Sequence, residues 1–127
     1  MKYTVETKKS VEQASEDLIQ SVTDHEFGVL HIHNLKETLN NKGVEFTNEC
    51  RVFEVCNPYK AKDIMDKDIN LNLVLPCRIS VYKENEKTLI GMIKPISVVL
   101  HLTDSKTLIS LVEDVEKTLI SIINKAI

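Results

Sequence analysis

The hydrophobic pattern of the chain first indicates β-strands. Near the N-terminus, Tyr3 and Val5 alternate with polar residues across positions 2–7, and a two-residue period is typical of a strand with one buried face. Runs of similar character recur along the chain and are bounded by polar or turn-forming residues. The further predicted strands cover residues 27–33, 45–56, 71–82 and 88–94.

The segment 71–82 has the clearest strand pattern. Its odd positions are apolar, while its even positions include Asn72 and Arg78, so one face is predicted to lie on the core. Pro76 interrupts the segment. Because proline cannot donate a hydrogen bond to a neighbouring strand, an edge, a bulge or a bend is expected there. Residues 84–86 are predicted to turn the chain into the next strand as a hairpin.

Helix signals lie between the strands. Ser10, with Gln13 three positions later, has the pattern of a capping box and predicts the start of an amphipathic helix. Asn34 is expected to cap a short helix that ends at Lys42, because Gly43 follows in the position where helices commonly end.

Two more helices are predicted in the second half of the chain. Asn57-Pro58 has the residues of a cap and a first helical position, and this helix is expected to end near Lys67. A long helix is predicted from Ser105 to the end of the chain, with Asp104 as its cap. Its length of about 23 residues corresponds to about 35 Å. Residues 95–102 are interpreted as a short extended piece.

The order of these elements predicts an α+β fold. The last two strands form a hairpin before the final helix, which favours a mainly antiparallel sheet of about five strands with helices packed on one face. A chain of 127 residues has the length of one domain. Residues 1–127 are therefore predicted to form a single domain, without internal repeats.

Composition argues against several classes of function. The 16 Lys and Arg residues are outnumbered by 19 Asp and Glu, for a net charge of −3, whereas nucleic-acid binders usually carry a basic patch. Aromatic residues make up 5% of the chain and tryptophan is absent, which disfavours base stacking. No signal peptide or membrane span is recognisable. A cytoplasmic protein without nucleic-acid or membrane partners is expected.

Three cysteines are the candidates for chemistry. Their odd number in a chain without an export signal favours free thiols. Cys56 is predicted to precede a helix start, where the helix dipole would stabilise a thiolate. Cys77 lies on the apolar face of its strand and would approach Cys56 if their strands are neighbours. Persulfide handling, redox exchange and soft-metal binding all suit such a pair, but packing in the core is the alternative, as for Cys50.

Two tripeptides give the sequence a resemblance to a known family. Cys56-Asn57-Pro58 and Leu75-Pro76-Cys77 stand about twenty residues apart, and this pairing, together with Phe27-Gly28-Val29, resembles the family called domain of unknown function 302. The resemblance covers roughly residues 27–95. The chain departs from the family pattern at residues 31–34, where an acidic residue is common, and at position 72, where glycine is common.

The resemblance implies a fold and an assembly, but no agreed activity. It implies a curved antiparallel sheet backed by the long C-terminal helix, and a homodimer. The apolar stripe of that helix is also wider than one face near its end. Ile120, Ile123 and Ile127 are therefore predicted to form a dimer interface.

Two histidines and one arginine are weaker candidates. His31 and His33 point to the same face of a predicted strand and could supply two ligands to a metal ion. No carboxylate is expected in register with them, so they are interpreted as solvated or capping residues and no metal site is predicted. Arg78 is a candidate anion partner beside Cys77, although adjacent strand residues face opposite sides.

Three hypotheses of function follow from these residues. The first is a small-molecule-binding or accessory module whose pocket lies near the two tripeptides, with Asn57, Pro58 and Pro76 contacting the ligand; Asn57 alternatively serves only as a helix cap. The second is a thiol-based enzyme or sulfur carrier with Cys56 and Cys77 as catalytic residues. The third is a structural dimerisation module. None requires a cofactor, binding ranks first, and whether the protein is an enzyme stays open.

Overall fold

The computed structural model describes residues 1–127 and confirms the α+β class. A five-stranded antiparallel sheet has the strand order β1-β5-β4-β3-β2, with helices packed on one face. The strands are β1 (Lys2–Thr7), β2 (Gly28–Asn34), β3 (Cys50–Cys56), β4 (Cys77–Glu84) and β5 (Lys87–Ile93). The helices are α1 (Val11–Asp24), α2 (Leu35–Asn41), α3 (Pro58–Lys67), α4 (Pro95–Val99) and α5 (Lys106–Lys125), with a 3₁₀ helix at Ile69–Val74.

The core lies between one face of the sheet and the helices α1 and α5. On β3 and β4, alternate residues point toward the helices, and the cross-strand pair Phe53 and Ile79 is fully buried. Alternation places the other half of the strand residues on the opposite face, which includes His33, Glu54, Arg78 and Ser80. This second face, from here on the open face, contributes to the candidate site.

Three of the four predicted helix caps formed at the predicted residues, Ser10, Asn34 and Asn57. Ser10 Oγ accepts a hydrogen bond from Gln13 N at 3.0 Å, and α1 begins at the next residue. Asn34 and Asn57 cap α2 and α3 in the same way, and Pro58 is the first residue of α3. Asn85 and Glu86 close the β4–β5 hairpin with positive φ angles, as a two-residue turn of this hand requires.

The predicted strand over residues 71–82 is wrong in its first half. Residues Ile69–Val74 form the 3₁₀ helix, and β4 begins only at Cys77, after a cis peptide bond at Pro76. Asp68 accepts hydrogen bonds from the backbone and side chain of Asn70, while the Asn72 amide donates to Ile69 O. Such local side-chain bonds compete with strand pairing and stabilise a turn.

Three further boundaries differ from the prediction. β3 begins at Cys50 rather than at residue 45, because Asn40 hydrogen-bonds the backbone N and O of Phe46 and holds that segment as a loop. Residues 95–99 form α4 instead of an extended piece. In the first turn of α4, Ile96 N donates a hydrogen bond to the carboxylate of Glu116 on α5. Ser105 caps α5 by accepting from Leu108 N, so Asp104 is not the cap.

The widened apolar stripe of α5 belongs mainly to the core of the chain. Ile123 is fully buried and Ile120 packs against the core cluster. Only Ile127 is exposed, at 47%. The prediction of a dimer interface is therefore wrong for Ile123, which is fully buried in its own chain, while Ile120 is partly buried and Ile127 exposed.

Candidate functional site

A cavity of about 600 Å³ lies at the start of β4 and is from here on the main cavity. The 3₁₀ helix, the loop Leu75-Pro76 and α4 form one side, and the ends of β4 and β5 form the other. Leu119 reaches the cavity from α5 and Glu54 from β3. A volume of this size lies within the range of small-molecule sites.

The walls of the main cavity are mostly apolar. Leu119 and Met92 are buried and belong to the core cluster. At the rim, the residues Leu73, Ile93 and Val98 are 73%, 55% and 37% exposed. Apolar side chains that converge on a concave surface while staying exposed are typical of a binding site.

Three polar residues of the open face border the main cavity. Glu54 of β3 and Arg78 of β4 are direct cross-strand partners, and Ser80 lies two positions beyond Arg78. His33 Nε2 donates a hydrogen bond to the Glu54 carboxylate. This bond, with the nearby charges of His33, His31 and Arg78, lowers the pKa of Glu54 below its ordinary value.

The structure adds to one expectation about these polar residues and corrects another. Arg78 and Cys77 border the same cavity although they are adjacent in a strand, because the cavity extends around the end of the sheet where β4 begins. Glu54 is a carboxylate in register with the histidines, since it pairs with His31 across β2 and β3. The expectation that no carboxylate stands there was wrong.

An irregularity in β2 explains why the sequence did not reveal this cluster. The register of β2 on β3 shifts between Val29 and His31, so these residues pair with the neighbours Val55 and Glu54. Val29 consequently faces the helices while His31 faces the open side. A bulge of this kind changes which side chains share a face, and no residue in the segment signals it.

The two tripeptides meet at a second, much smaller cavity of about 20 Å³, from here on the thiol cavity. Cys56 and Asn57 line it from the end of β3, and Pro76 and Cys77 from the start of β4. The sequence prediction that Cys56 and Cys77 approach each other depends on neighbouring strands, and β3 and β4 are neighbours. A volume of about 20 Å³ holds about one water molecule. Pro58 lines neither cavity.

Burial works against thiolate formation in this cavity. Burial raises the pKa of the Cys56 thiol, which is opposite to the direction predicted from the helix dipole. Burial, with a smaller effect of the charge at Cys56, raises the pKa of Cys77 to about 11. The third free cysteine, Cys50, also has a pKa raised by burial. At neutral pH all three are thiols.

Asn57 uses its side chain within the chain. Its Oδ1 accepts from Tyr59 N and Lys60 N, both at 3.1 Å, and its Nδ2 donates to Glu26 O at 3.4 Å. These bonds fix the start of α3 and connect it to the turn before β2. They support the cap interpretation of Asn57.

The protein has neither a cluster of metal-ligating side chains nor a helix suited to span a membrane. No group of three or more His, Cys, Asp or Glu side chains is arranged so that it could hold a metal ion. None of the helices combines the length and the apolar character that crossing a membrane requires.

The fold and the cavities describe an α+β domain with an apolar cavity at one end of its sheet. A family model, domain of unknown function DUF302, matches residues 3–126, and the chain belongs to this family. The chain is also similar to a solved crystal structure, that of an uncharacterized conserved DUF302 protein from Bacillus stearothermophilus. The TM-score is 0.94 and the identity 32%, over 99% of this chain and 98% of that chain. No curated protein matches the sequence.

Proposed function

We propose that this DUF302 domain binds a small molecule in the main cavity. The observation that carries the proposal is the convergence of apolar side chains from four elements on about 600 Å³ of open space. Of the ligand contacts predicted from sequence, Pro76 borders this cavity, whereas Asn57 borders the thiol cavity and Pro58 neither. We therefore propose Pro76 as a ligand contact, and structural roles for Asn57 and Pro58 as cap and first residue of α3.

The apolar wall also explains why a ligand would be retained. Leu73 lies on the 3₁₀ helix and is 73% exposed, so a ligand that covers it removes apolar surface from water. Fully burying one leucine side chain contributes about 1.5–3 kcal/mol. A ligand that covers several exposed rim residues would gain a contribution of this kind from each of them.

A matched pair of variants tests the proposal. Leu73 and Ile69 lie on the same 3₁₀ helix and are 73% and 65% exposed, but only Leu73 borders the main cavity. Leu73→Asn should weaken binding of the uncharged probe 1-decanol about fivefold to tenfold, since about 1.4 kcal/mol corresponds to a factor of ten. Ile69→Asn should leave the affinity unchanged. Titration followed by amide chemical shifts measures both, and equal effects of the two changes would contradict the proposal.

Thiol chemistry is a second proposal, with Cys56 and Cys77 as the catalytic residues. Its support is that both side chains line the thiol cavity. With a disulfide substrate, a Cys56 thiolate would form a mixed disulfide and release one substrate thiolate. A Cys77 thiolate would then attack the Cys56 sulfur, form the Cys56–Cys77 disulfide and release the second substrate thiolate. With a persulfide substrate, Cys56 would instead accept the outer sulfur as its own persulfide and release the substrate thiolate. The raised pKa of both thiols places this proposal below binding.

Alkylation against pH distinguishes the two proposals. The raised pKa values predict that iodoacetamide modifies Cys56 and Cys77 slowly at pH 7, and that the rate at Cys77 rises only as the pH approaches about 11. Peptide mass spectrometry gives the rate at each position. Rapid modification of Cys56 at pH 7, with an apparent pKa below the ~8.5 of a free thiol, would favour thiol chemistry instead.

We further propose that the protein works as a homodimer in the cytoplasm. The support for the dimer is the family resemblance, and exposed apolar side chains on the sheet edge, among them Leu30 at 61%, offer it a surface. The support for the cytoplasm is that all three cysteines are free thiols, which persist in a reducing compartment. A sedimentation mass equal to the 14.5 kDa of one chain would contradict the dimer, and cell fractionation tests the compartment.

A further inference from the structure

We propose that the ligand of the main cavity is an amphipathic carboxylate, whose charged head contacts Arg78 and whose apolar body lies between the 3₁₀ helix and the ends of β4 and β5. This inference rests on the proposed function, because it names the chemical class of the ligand for the same cavity. The observation that carries it is a guanidinium without a partner at the border of an apolar cavity.

Arg78 is available to a ligand. Its side chain is exposed on the open face and borders the main cavity. None of the ion pairs within the chain includes it. A guanidinium presents five N–H donors in a planar arrangement that matches the two oxygens of a carboxylate.

The neighbouring carboxylate does not occupy the N–H donors of Arg78. Glu54 stands opposite Arg78 in the register, but its carboxylate accepts a hydrogen bond from His33, and the two groups form an ion pair when His33 is protonated. Glu54 and Arg78 form no ion pair with each other. His33 is therefore the direct partner of the Glu54 carboxylate, and Arg78 acts on Glu54 only through its charge.

Two more groups favour an anionic head at this border. Ser80 also borders the cavity, and its hydroxyl is a donor that a carboxylate oxygen can accept. Lys2 of β1 pairs directly with the rim residue Ile93 of β5, which places a second cation on the same face of the sheet. Arg78 and Ser80 thus offer donors to an anion at the border of the cavity, and Lys2 adds a positive charge on the same face.

The distribution of polar and apolar groups determines the ligand class. The polar groups all come from the open face of the sheet, whereas Leu73, Leu75, Met92 and Leu119 form the apolar part. A ligand that satisfies both needs one charged end and one apolar end. A polyanion is disfavoured, because Glu54 lies beside Arg78 and would repel additional negative charge.

Paired probes of equal chain length test the inference on the full-length protein. Decanoate and 1-decanol differ in the head group, and decanoate is ionised at pH 7. Decanoate should bind about tenfold more tightly or better, because hydrogen bonds to charged groups are the stronger ones. Arg78→Gln should remove that advantage and leave 1-decanol within about twofold. Lys117→Gln, an exposed position on α5 with the same loss of charge, should change neither affinity.

The outcomes separate this inference from the proposed function. Equal affinities of the two probes for the unmodified protein, or an unchanged decanoate affinity in Arg78→Gln, would overturn the anionic ligand while the binding cavity stands. Absence of binding by both probes would overturn both proposals. Arg78→Lys provides a further readout: it keeps the charge but loses the planar pair of donors, so an intermediate decanoate affinity supports direct contact.

Discussion

Replacing Leu119 with alanine should lower the free energy of unfolding by about 2–5 kcal/mol and, at the same time, strengthen the binding of an apolar ligand. Leu119 is fully buried within the core cluster and also forms part of the wall of the main cavity. Deleting a buried leucine side chain removes its transfer free energy and leaves a void. Because this void adjoins the main cavity, a ligand such as 1-decanol can fill it and recover contacts that the variant has lost.

Leu18→Ala is the matched control for this prediction. Leu18 is equally buried, but it lies on α1 and does not border the main cavity. Urea unfolding with and without 1-decanol should give a similar loss of stability in both variants, whereas ligand should restore more stability to Leu119→Ala, since stabilisation by a ligand grows with its affinity. Equal stabilisation of the two variants would mean that α5 does not form a wall of the ligand site.

Local signals in the sequence predicted the outline of the fold well. Ser10, Asn34 and Asn57 each have a short polar side chain before a helical pattern, and each accepts hydrogen bonds from the first turn of its helix. The β4–β5 hairpin follows from a turn of polar residues between two apolar runs. These features depend on contacts within a few residues, so a pattern along the chain is sufficient to find them.

The segment before β4 shows where pattern alone is insufficient. Leu71, Leu73 and Leu75 alternate as a strand would, yet Leu71 is fully buried and Leu73 is exposed, in a 3₁₀ helix. The alternating pattern shows only which side chains are apolar. The hydrogen bonds of the Asp68 and Asn72 side chains favour the 3₁₀ conformation of the backbone instead of a strand. The error concerns the candidate site directly, because a strand there would have extended the sheet across the space of the main cavity.

The candidate site itself was only half predictable. The pairing of the two tripeptides led to Pro76 and Cys77, and Pro76 and Cys77 do border the main cavity. Glu54 was missed, because its place beside Arg78 and His33 depends on the register of three strands and on an irregularity in β2. Residues that are distant in sequence become neighbours only through such pairing, and a single sequence does not specify it.

The open face of the sheet and its helix-covered face therefore have different roles. The covered face supplies the stability, through pairs such as Phe53 and Ile79. The open face supplies the charged groups, and both contribute to the main cavity because it lies at the end of the sheet, where neither face is continuous. β1 extends the sheet by pairing with β5 along its whole length, and its residue Lys2 adds a charged side chain to the open face.

Replacing Gly91 with alanine should lower the free energy of unfolding by about 1–3 kcal/mol, the usual cost of overpacking. Gly91 pairs with Thr4 across β5 and β1. A Cβ atom at this glycine would lie 2.6 Å from Thr4 Cγ2 and 3.1 Å from the backbone oxygen of Tyr3. The threonine side chain can rotate away, but the carbonyl belongs to the strand, so the substitution would push β1 away from β5.

Gly28→Ala is the matched control, because it makes the same chemical change in another strand of the same sheet. A Cβ atom there meets only the carbonyl oxygen of Cys56, at an ordinary contact distance of 3.9 Å. This substitution should be neutral, or it should stabilise the protein by up to about 1 kcal/mol because alanine restricts the unfolded chain more than glycine does.

A second substitution tests the contact with Thr4 directly. Thr4→Ser removes the Cγ2 atom, so combining Thr4→Ser with Gly91→Ala should recover part of the lost stability, which measures the coupling energy between the two positions. Urea unfolding of the four variants decides the matter: equal stabilities for Gly91→Ala and Gly28→Ala would show that close approach of β1 is not what requires glycine at position 91.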